Sequence, residues 1–159
     1  MKRKSKFLAI ILAAGRGSRL DTDVPKPLHQ INGLPIIDHL INSVSGLPNI
    51  DILTVVGYKR TQIINHIKDR SKHVVQKVPK GTGHAVIKCT EHIKKYSKTL
   101  VFVGDTPVLS SSDLFRMISS HKKNNADCSF LYSTFPFQLP YARLIFNNGS
   151  LRQIKESHH

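Results

Sequence analysis

The residues best placed to do chemistry lie in Leu12-Ala13-Ala14-Gly15-Arg16-Gly17-Ser18-Arg19-Leu20 and, shortly after, Pro25-Lys26-Pro27-Leu28. An apolar run feeds straight into a glycine turn, and the turn delivers cations. Small residues let backbone N–H groups approach an anion closely, while Arg19 and Lys26 neutralise it. That combination suits the polyphosphate tail of a nucleoside triphosphate. The loop is not a Walker motif, because no Gly-Lys-Ser/Thr closes it. It is not a dinucleotide fingerprint either, because Leu20 stands at the third glycine position.

A second constellation is Gln76 followed by Lys80-Gly81-Thr82-Gly83-His84-Ala85. A side-chain amide at a strand end offers both a donor and an acceptor, as a pyrimidine edge requires. Gly81 and Gly83 let the main chain lie against a flat ring, and Thr82 is placed to cap the helix that starts there. By itself the segment reads equally well as a loop with a capped helix. The third constellation is Val101-Phe102-Val103-Gly104-Asp105-Thr106-Pro107. Asp105 falls just past the carboxyl end of an apolar strand, the edge where open α/β sheets bind ligands. A hard carboxylate there suits Mg²⁺, which takes one or two carboxylates plus substrate phosphates. Alone, Asp105 reads equally as a turn cap. His29, His39, His66, His73, His84, His92 and His121 keep no metal-ligand spacing, and most read as surface or turn residues. No Ser-His-Asp order with a nucleophile elbow is present.

The elements that must position these groups alternate strand and helix. Apolar runs at 7–14, 52–56, 74–75 and 100–103 predict strands. Ile36, Ile37, Leu40, Ile41 and Val44 recur at helical spacing, with Gly46 as a stop; Ile63, Ile64 and Ile67 mark a second helix. Residues 83–96 predict a third, with Ala85, Val86, Cys89 and Ile93 on its buried side. Ser112-Asp113 looks like the N-cap of a fourth, carrying Leu114, Phe115, Met117 and Ile118. This grammar predicts an α/β fold, a Rossmann-like, mostly parallel sheet with helices on both faces. It changes after Asn125. A strand is expected at 128–134, and the runs 141–146 and 151–154 flank Asn147-Asn148-Gly149-Ser150, a hairpin signal.

A chain of 159 residues suffices for one domain with a core. The basic start followed by an apolar run ending in small residues also has the outline of a secretory signal. Cleavage there would discard the strand that leads into Gly15, and a continuous apolar run equally describes a buried parallel strand, the reading adopted. No apolar run is long enough to span a bilayer, so no membrane is expected. Cys89 and Cys128 lack metal-ligand spacing and read as reduced, buried thiols of a cytoplasmic protein. The net charge of +14 raises the question of nucleic acid. Beyond the first six residues, however, the cations scatter as Lys59-Arg60, Lys94-Lys95 and Lys122-Lys123, with no aromatic-rich basic strand. A surface that attracts small polyanions accounts for the charge, and no nucleic-acid partner is expected.

In order and spacing, Leu12 to Arg19, Lys26-Pro27-Leu28-His29, Gly33-Leu34-Pro35, Gln76, Gly81 to Ala85 and Gly104 to Pro107 resemble sugar-1-phosphate nucleotidylyltransferases. Within that family they are most similar to the uridylyltransferase domain of bacterial bifunctional N-acetylglucosamine-1-phosphate uridylyltransferase/glucosamine-1-phosphate acetyltransferase. The resemblance implies the nucleotide-diphospho-sugar transferase fold and a Mg²⁺-dependent reaction. UTP and N-acetylglucosamine-1-phosphate would give UDP-N-acetylglucosamine and pyrophosphate, in the cytoplasm, for cell-wall biogenesis. Leu12, Ala13, Ala14, Gly15 and Gly17 would line the nucleotide, and Gln76, Gly81 and Thr82 would hold uracil. Arg19 and Lys26 would clamp the triphosphate, Asp105 would bind Mg²⁺, and Gly104, Ala142 and Glu156 would contact the sugar. Ala142 stands where the family usually has glycine. The family domain continues past Glu156 with further sugar contacts and a second metal ligand. The resemblance therefore implies a single nucleotidyltransferase domain over 1–159, incomplete at its C-terminal, sugar-binding end. A nucleotide-sugar-binding fragment without turnover, or a transferase for another sugar phosphate, are the alternatives it leaves.

Overall fold

The structure, a computed structural model, describes residues 6–17, 23–137 and 142–155. In chain order, β1 (Phe7–Ala13) precedes a 3₁₀ turn (Lys26–Leu28), β2 (Gln30–Ile31), β3 (Leu34–Pro35) and α1 (Ile36–Ser45). Next come β4 (Ile50–Val56), α2 (Arg60–Ile67), a 3₁₀ turn (Lys68–Arg70), β5 (Lys72–Val75), α3 (Thr82–Ile87) and α4 (Thr90–Ile93). β6 (Lys98–Val103), α5 (Ser111–Lys123), β7 (Arg143–Asn147) and β8 (Ser150–Lys155) complete the order. The chain divides into two compact units, Met1–Asp127 and Cys128–His159.

In the first unit four parallel strands lie in the order β5-β4-β1-β6. β1 is apolar throughout because helices cover both faces of the strand. Its residues alternate between two cores, as the two-residue period of a strand demands. Phe7 joins Ala9, Ile11 and Ala13 against Ile37, Leu40, Ile41 and Val44 of α1, Ile63 and Ile67 of α2, and Leu114 of α5. Leu8 and Ile10 face the other way, toward Ala85 of α3 and Cys89. α1 follows the predicted stripe and ends at Gly46, whose N–H bonds to the Asn42 carbonyl at 3.2 Å.

β4 and β5 lie on one side of β1, and the chain then crosses back to place β6 on the other. The connections therefore diverge between β1 and β6, the switch point where such sheets open a ligand crevice at the carboxyl ends of their strands. A separate cavity of about 400 Å³ opens at the amino ends, where Lys6, Asn49, Asp51 and Lys72 are among its lining.

Several expectations need correction. The helix predicted over 83–96 is broken, because the Cys89 N–H bonds to the Val86 carbonyl three residues back, at 2.9 Å. The Thr90 hydroxyl donates to the Ile87 carbonyl at 2.6 Å, so a side chain replaces the helical ladder. The N-cap of α5 is Ser110 rather than Ser112. Ser110 Oγ accepts from the Asp113 N–H at 3.2 Å while Asp113 Oδ2 accepts from the Ser110 N–H at 3.2 Å, a capping box. Cys128 is exposed, not buried.

In the second unit the expected strand at 128–134 is absent, since it has no ladder partner among the described residues; Phe130, Leu131 and Tyr132 stay open. The hairpin is present. Asn148 and Gly149 both take positive φ, +48° and +74°, as a two-residue type I′ turn requires.

Candidate functional site

The loop after β1 is held from both sides. The Gly104 N–H donates to the Leu12 carbonyl at 2.9 Å, tying the turn after β6 to the end of β1. A Cβ at Gly104 would sit 2.7 Å from that same oxygen, so this approach needs glycine. On the other side the Tyr58 N–H, just past β4, donates to the Ala14 carbonyl at 3.2 Å. Ala13 and Ala14 are buried there, and Gly15 and Arg16 are exposed. Gly17 turns the chain at φ +62°, a left-handed conformation, with its Cα facing the Lys26 side chain.

Lys26 enters from the 3₁₀ turn and pairs with Asp105. Nζ lies 2.6 Å from Oδ2, joining residues far apart in sequence across the β1/β6 switch point. Both side chains are partly exposed, at 40% and 38%, so the pair contributes little stability but places a cation and an anion where a ligand can reach both. The donor set fits Mg²⁺ in one respect: a hard carboxylate oxygen that already faces a positive charge. Among the described residues no group of three or more His, Cys, Asp or Glu side chains forms a protein cage. Mg²⁺ at phosphate sites ordinarily completes its shell from phosphate and water.

The Gln76 segment lies at the same edge of the sheet. The Gln76 N–H donates to the carbonyl of Val56, the last residue of β4, at 2.8 Å. The residue is only 4% exposed. Nε2 donates to the Gly81 carbonyl at 3.2 Å and to His84 Nδ1 at 2.8 Å. Gly81, at φ +90°, is the N-cap of α3; Thr82 is the first helical residue and makes no capping bond, contrary to expectation. Ala85 of α3 shares the second core with Ala14, so both loops border the carboxyl edge of one sheet.

The structure thus brings Leu12, Ala13, Ala14, Gly15, Gly17, Lys26, Gly104 and Asp105 together, with Gln76, Gly81 and Thr82 along the same edge. Ala142 is exposed immediately before β7 in the second unit. Arg19 and Glu156 lie outside the described residues. Sequence reasoning missed three contributors. Tyr58 carries Arg16 Cζ and Lys59 Nζ, each 5.5 Å from its ring centroid, and so buttresses the first loop by cation–π contacts. Lys59 pairs with Asp23 at 3.0 Å, and that carboxylate raises its pKa above the usual lysine range. His84 is not a mere surface residue. The Asn32-Gly33 dipeptide, which turns β2 into β3, carried a hairpin signal that the sequence reading passed over.

Comparison with known proteins places this geometry in context. The family model described as "MobA-like NTP transferase domain" matches residues 9–158. The chain is 36% identical over 150 residues to the bifunctional protein GlmU of Enterococcus faecalis, and 33% identical over 150 residues to that of Latilactobacillus sakei. Each match covers 93% of this chain but only 33% and 32% of those relatives, so the chain spans about a third of their length. A solved structure of a Bacillus anthracis protein assigned as a glucose-1-phosphate thymidylyltransferase, in complex with sucrose, superposes with a TM-score of 0.75. That match covers 96% of this chain and 65% of the other at 19% identity, a likeness of fold.

Proposed function

The chain belongs to the family of MobA-like NTP transferase domains, and on that premise we propose that it transfers a uridylyl group from UTP to a sugar 1-phosphate, with N-acetylglucosamine-1-phosphate as the acceptor. The observation that carries the reading is the Lys26–Asp105 pair at the switch point beside the glycine turn. It supplies a mobile cation for phosphate and a carboxylate for a metal at one edge of the sheet. The match to GlmU relatives supports a nucleotidyltransferase of the sugar-phosphate type.

In this reading one phosphate oxygen of the sugar 1-phosphate attacks the α-phosphorus of UTP. A new P–O bond forms, the bond from the α-phosphorus to the bridging oxygen breaks, and pyrophosphate leaves. No enzyme nucleophile is needed, so positioning and charge neutralisation carry the catalysis. Leu12, Ala13, Ala14, Gly15 and Gly17 line the nucleotide; Gln76, Gly81 and Thr82 hold uracil. Lys26 exchanges Asp105 for phosphate oxygens, and Arg19 assists. Asp105 would hold Mg²⁺ jointly with the phosphates, and the ion when bound supplies further neutralisation of their charge. Gly104, Ala142 and Glu156 are assigned to the sugar.

The test is pyrophosphate release with UTP and Mg²⁺, run with N-acetylglucosamine-1-phosphate beside glucose-1-phosphate, together with the melting temperature in UTP, CTP, GTP and dTTP. Ligand that binds only the native state raises the melting temperature. Release specific to the amino sugar, with the largest shift in UTP, is expected. Equal shifts in all four nucleotides would refute the uracil assignment, and binding without release would reduce the chain to a nucleotide-binding module.

A further inference from the structure

We propose that His84 is a positioning residue that commits the Gln76 carboxamide to present only its oxygen to a nucleobase, so that the loop selects bases carrying a ring N–H at the centre of their pairing edge. The inference rests on the reading of the Gln76 loop as a nucleobase site and goes beyond it by naming what sets the choice of base.

A carboxamide nitrogen has two hydrogens. In Gln76 both are engaged inside the protein, one by the Gly81 carbonyl at 3.2 Å and the other by His84 Nδ1 at 2.8 Å. The amide nitrogen can only donate, so His84 Nδ1 is the acceptor and the ring carries its N–H on Nε2. Gln76 Oε1 then has no donor among the described residues, although the residue is only 4% exposed. A buried carbonyl oxygen without a partner is rare enough to point to a ligand. Uracil offers N3–H at the middle of its edge, which Oε1 accepts. Cytosine offers a lone pair at the same atom, which Oε1 repels. Without the His84 acceptor the carboxamide is held only by Gly81 and can turn to offer Nε2–H to cytosine. His84 thus governs base choice without touching the base.

The experiment measures calorimetric Kd values for UTP and CTP on the full chain with Mg²⁺, for wild type, His84→Ala, His84→Met and His84→Asn. The Asn Oδ1 occupies the branch position of Nδ1 and restores an acceptor; Met fills the volume with only a weak one. Wild type is expected to favour UTP by about tenfold or more, the scale of one buried acceptor made or opposed. His84→Ala and His84→Met should bring that ratio near unity, and His84→Asn should restore it. A ratio unchanged in Ala and Met, an equal weakening of both nucleotides, or an Asn variant no more selective than Ala would overturn the proposal while leaving the base site standing. Should His84→Ala fail to fold, the Met and Asn pair decides by the same ratio. Wild type that binds neither nucleotide, or both equally, would overturn the base-site reading together with this one.

Discussion

Gly15→Ala separates the role of the first loop in binding from its role in folding. A Cβ built at Gly15 meets no atom within 4 Å, and the backbone there lies outside the left-handed region. The substitution therefore leaves the folded chain unstrained, and by restricting the unfolded chain it adds about 0.4–1 kcal/mol of stability. The same change at Gly104 makes the opposite case. There the methyl would stand 2.7 Å from the oxygen and 3.2 Å from the carbonyl carbon of Leu12, backbone atoms that cannot swing aside. Overpacking of that kind costs about 1–3 kcal/mol, and the melting temperature falls by roughly 2–8 °C for each kcal/mol in domains near this size. With nucleotide bound, the new methyl at Gly15 occupies the space through which phosphate reaches the backbone amides. An overpacking cost of about 1–3 kcal/mol then weakens UTP binding by roughly 5- to 150-fold. Calorimetric titration with UTP, read beside thermal unfolding of both variants, measures the two effects independently. A Gly15→Ala protein that binds UTP as tightly as wild type would show that the nucleotide does not lie on this turn.

Three further outcomes are expected. Asp105→Asn lowers Mg²⁺-dependent pyrophosphate release by about 10²-fold or more, yet shifts stability by no more than about 1 kcal/mol, because the Lys26 pair it breaks is exposed; a variant that turns over normally would remove Asp105 from the reaction. Burial and then the hydrogen bond to the Asp51 carboxylate raise the Tyr96 pKa from 10.0 to about 12. The unfolded chain releases this proton first, so the contribution is complete below pH 10 and is lost as pH rises through about 12. Urea midpoints for wild type should fall across that window more steeply than for Tyr96→Phe, and parallel curves would contradict the assignment. Cys89 is fully buried and burial raises its pKa, whereas Cys128 is exposed. A thiol reagent on the native chain should therefore modify Cys128 quickly and Cys89 only after unfolding, as mass spectrometry of the labelled peptides would report; early labelling at Cys89 would refute the buried placement.

The amino-acid sequence encodes the alternating strands and helices, because a strand covered on both faces must be apolar along its whole length and an amphipathic helix must repeat its stripe. It also determined the chemical types at the site. An anion needs cations and free amides, and a hard metal needs a carboxylate, so Gly15, Lys26 and Asp105 stood out from residue type and position alone. The hairpin at Asn148-Gly149 was legible for a local reason, since few residues accept positive φ at two successive positions.

What local pattern does not encode is which groups take which partners across long separations. Ser110 rather than Ser112 caps α5 because Asp113 reaches back to it, and both serines satisfied the composition rule. The segment 128–134 has strand-like residues but no ladder, since a strand exists only when another edge pairs with it. That Lys26 meets Asp105, and that His84 accepts from the Gln76 amide, follows from the folded chain alone. Each of those contacts depends on the order in which parallel strands cross the sheet, and a linear pattern of apolar residues is the same for any such order.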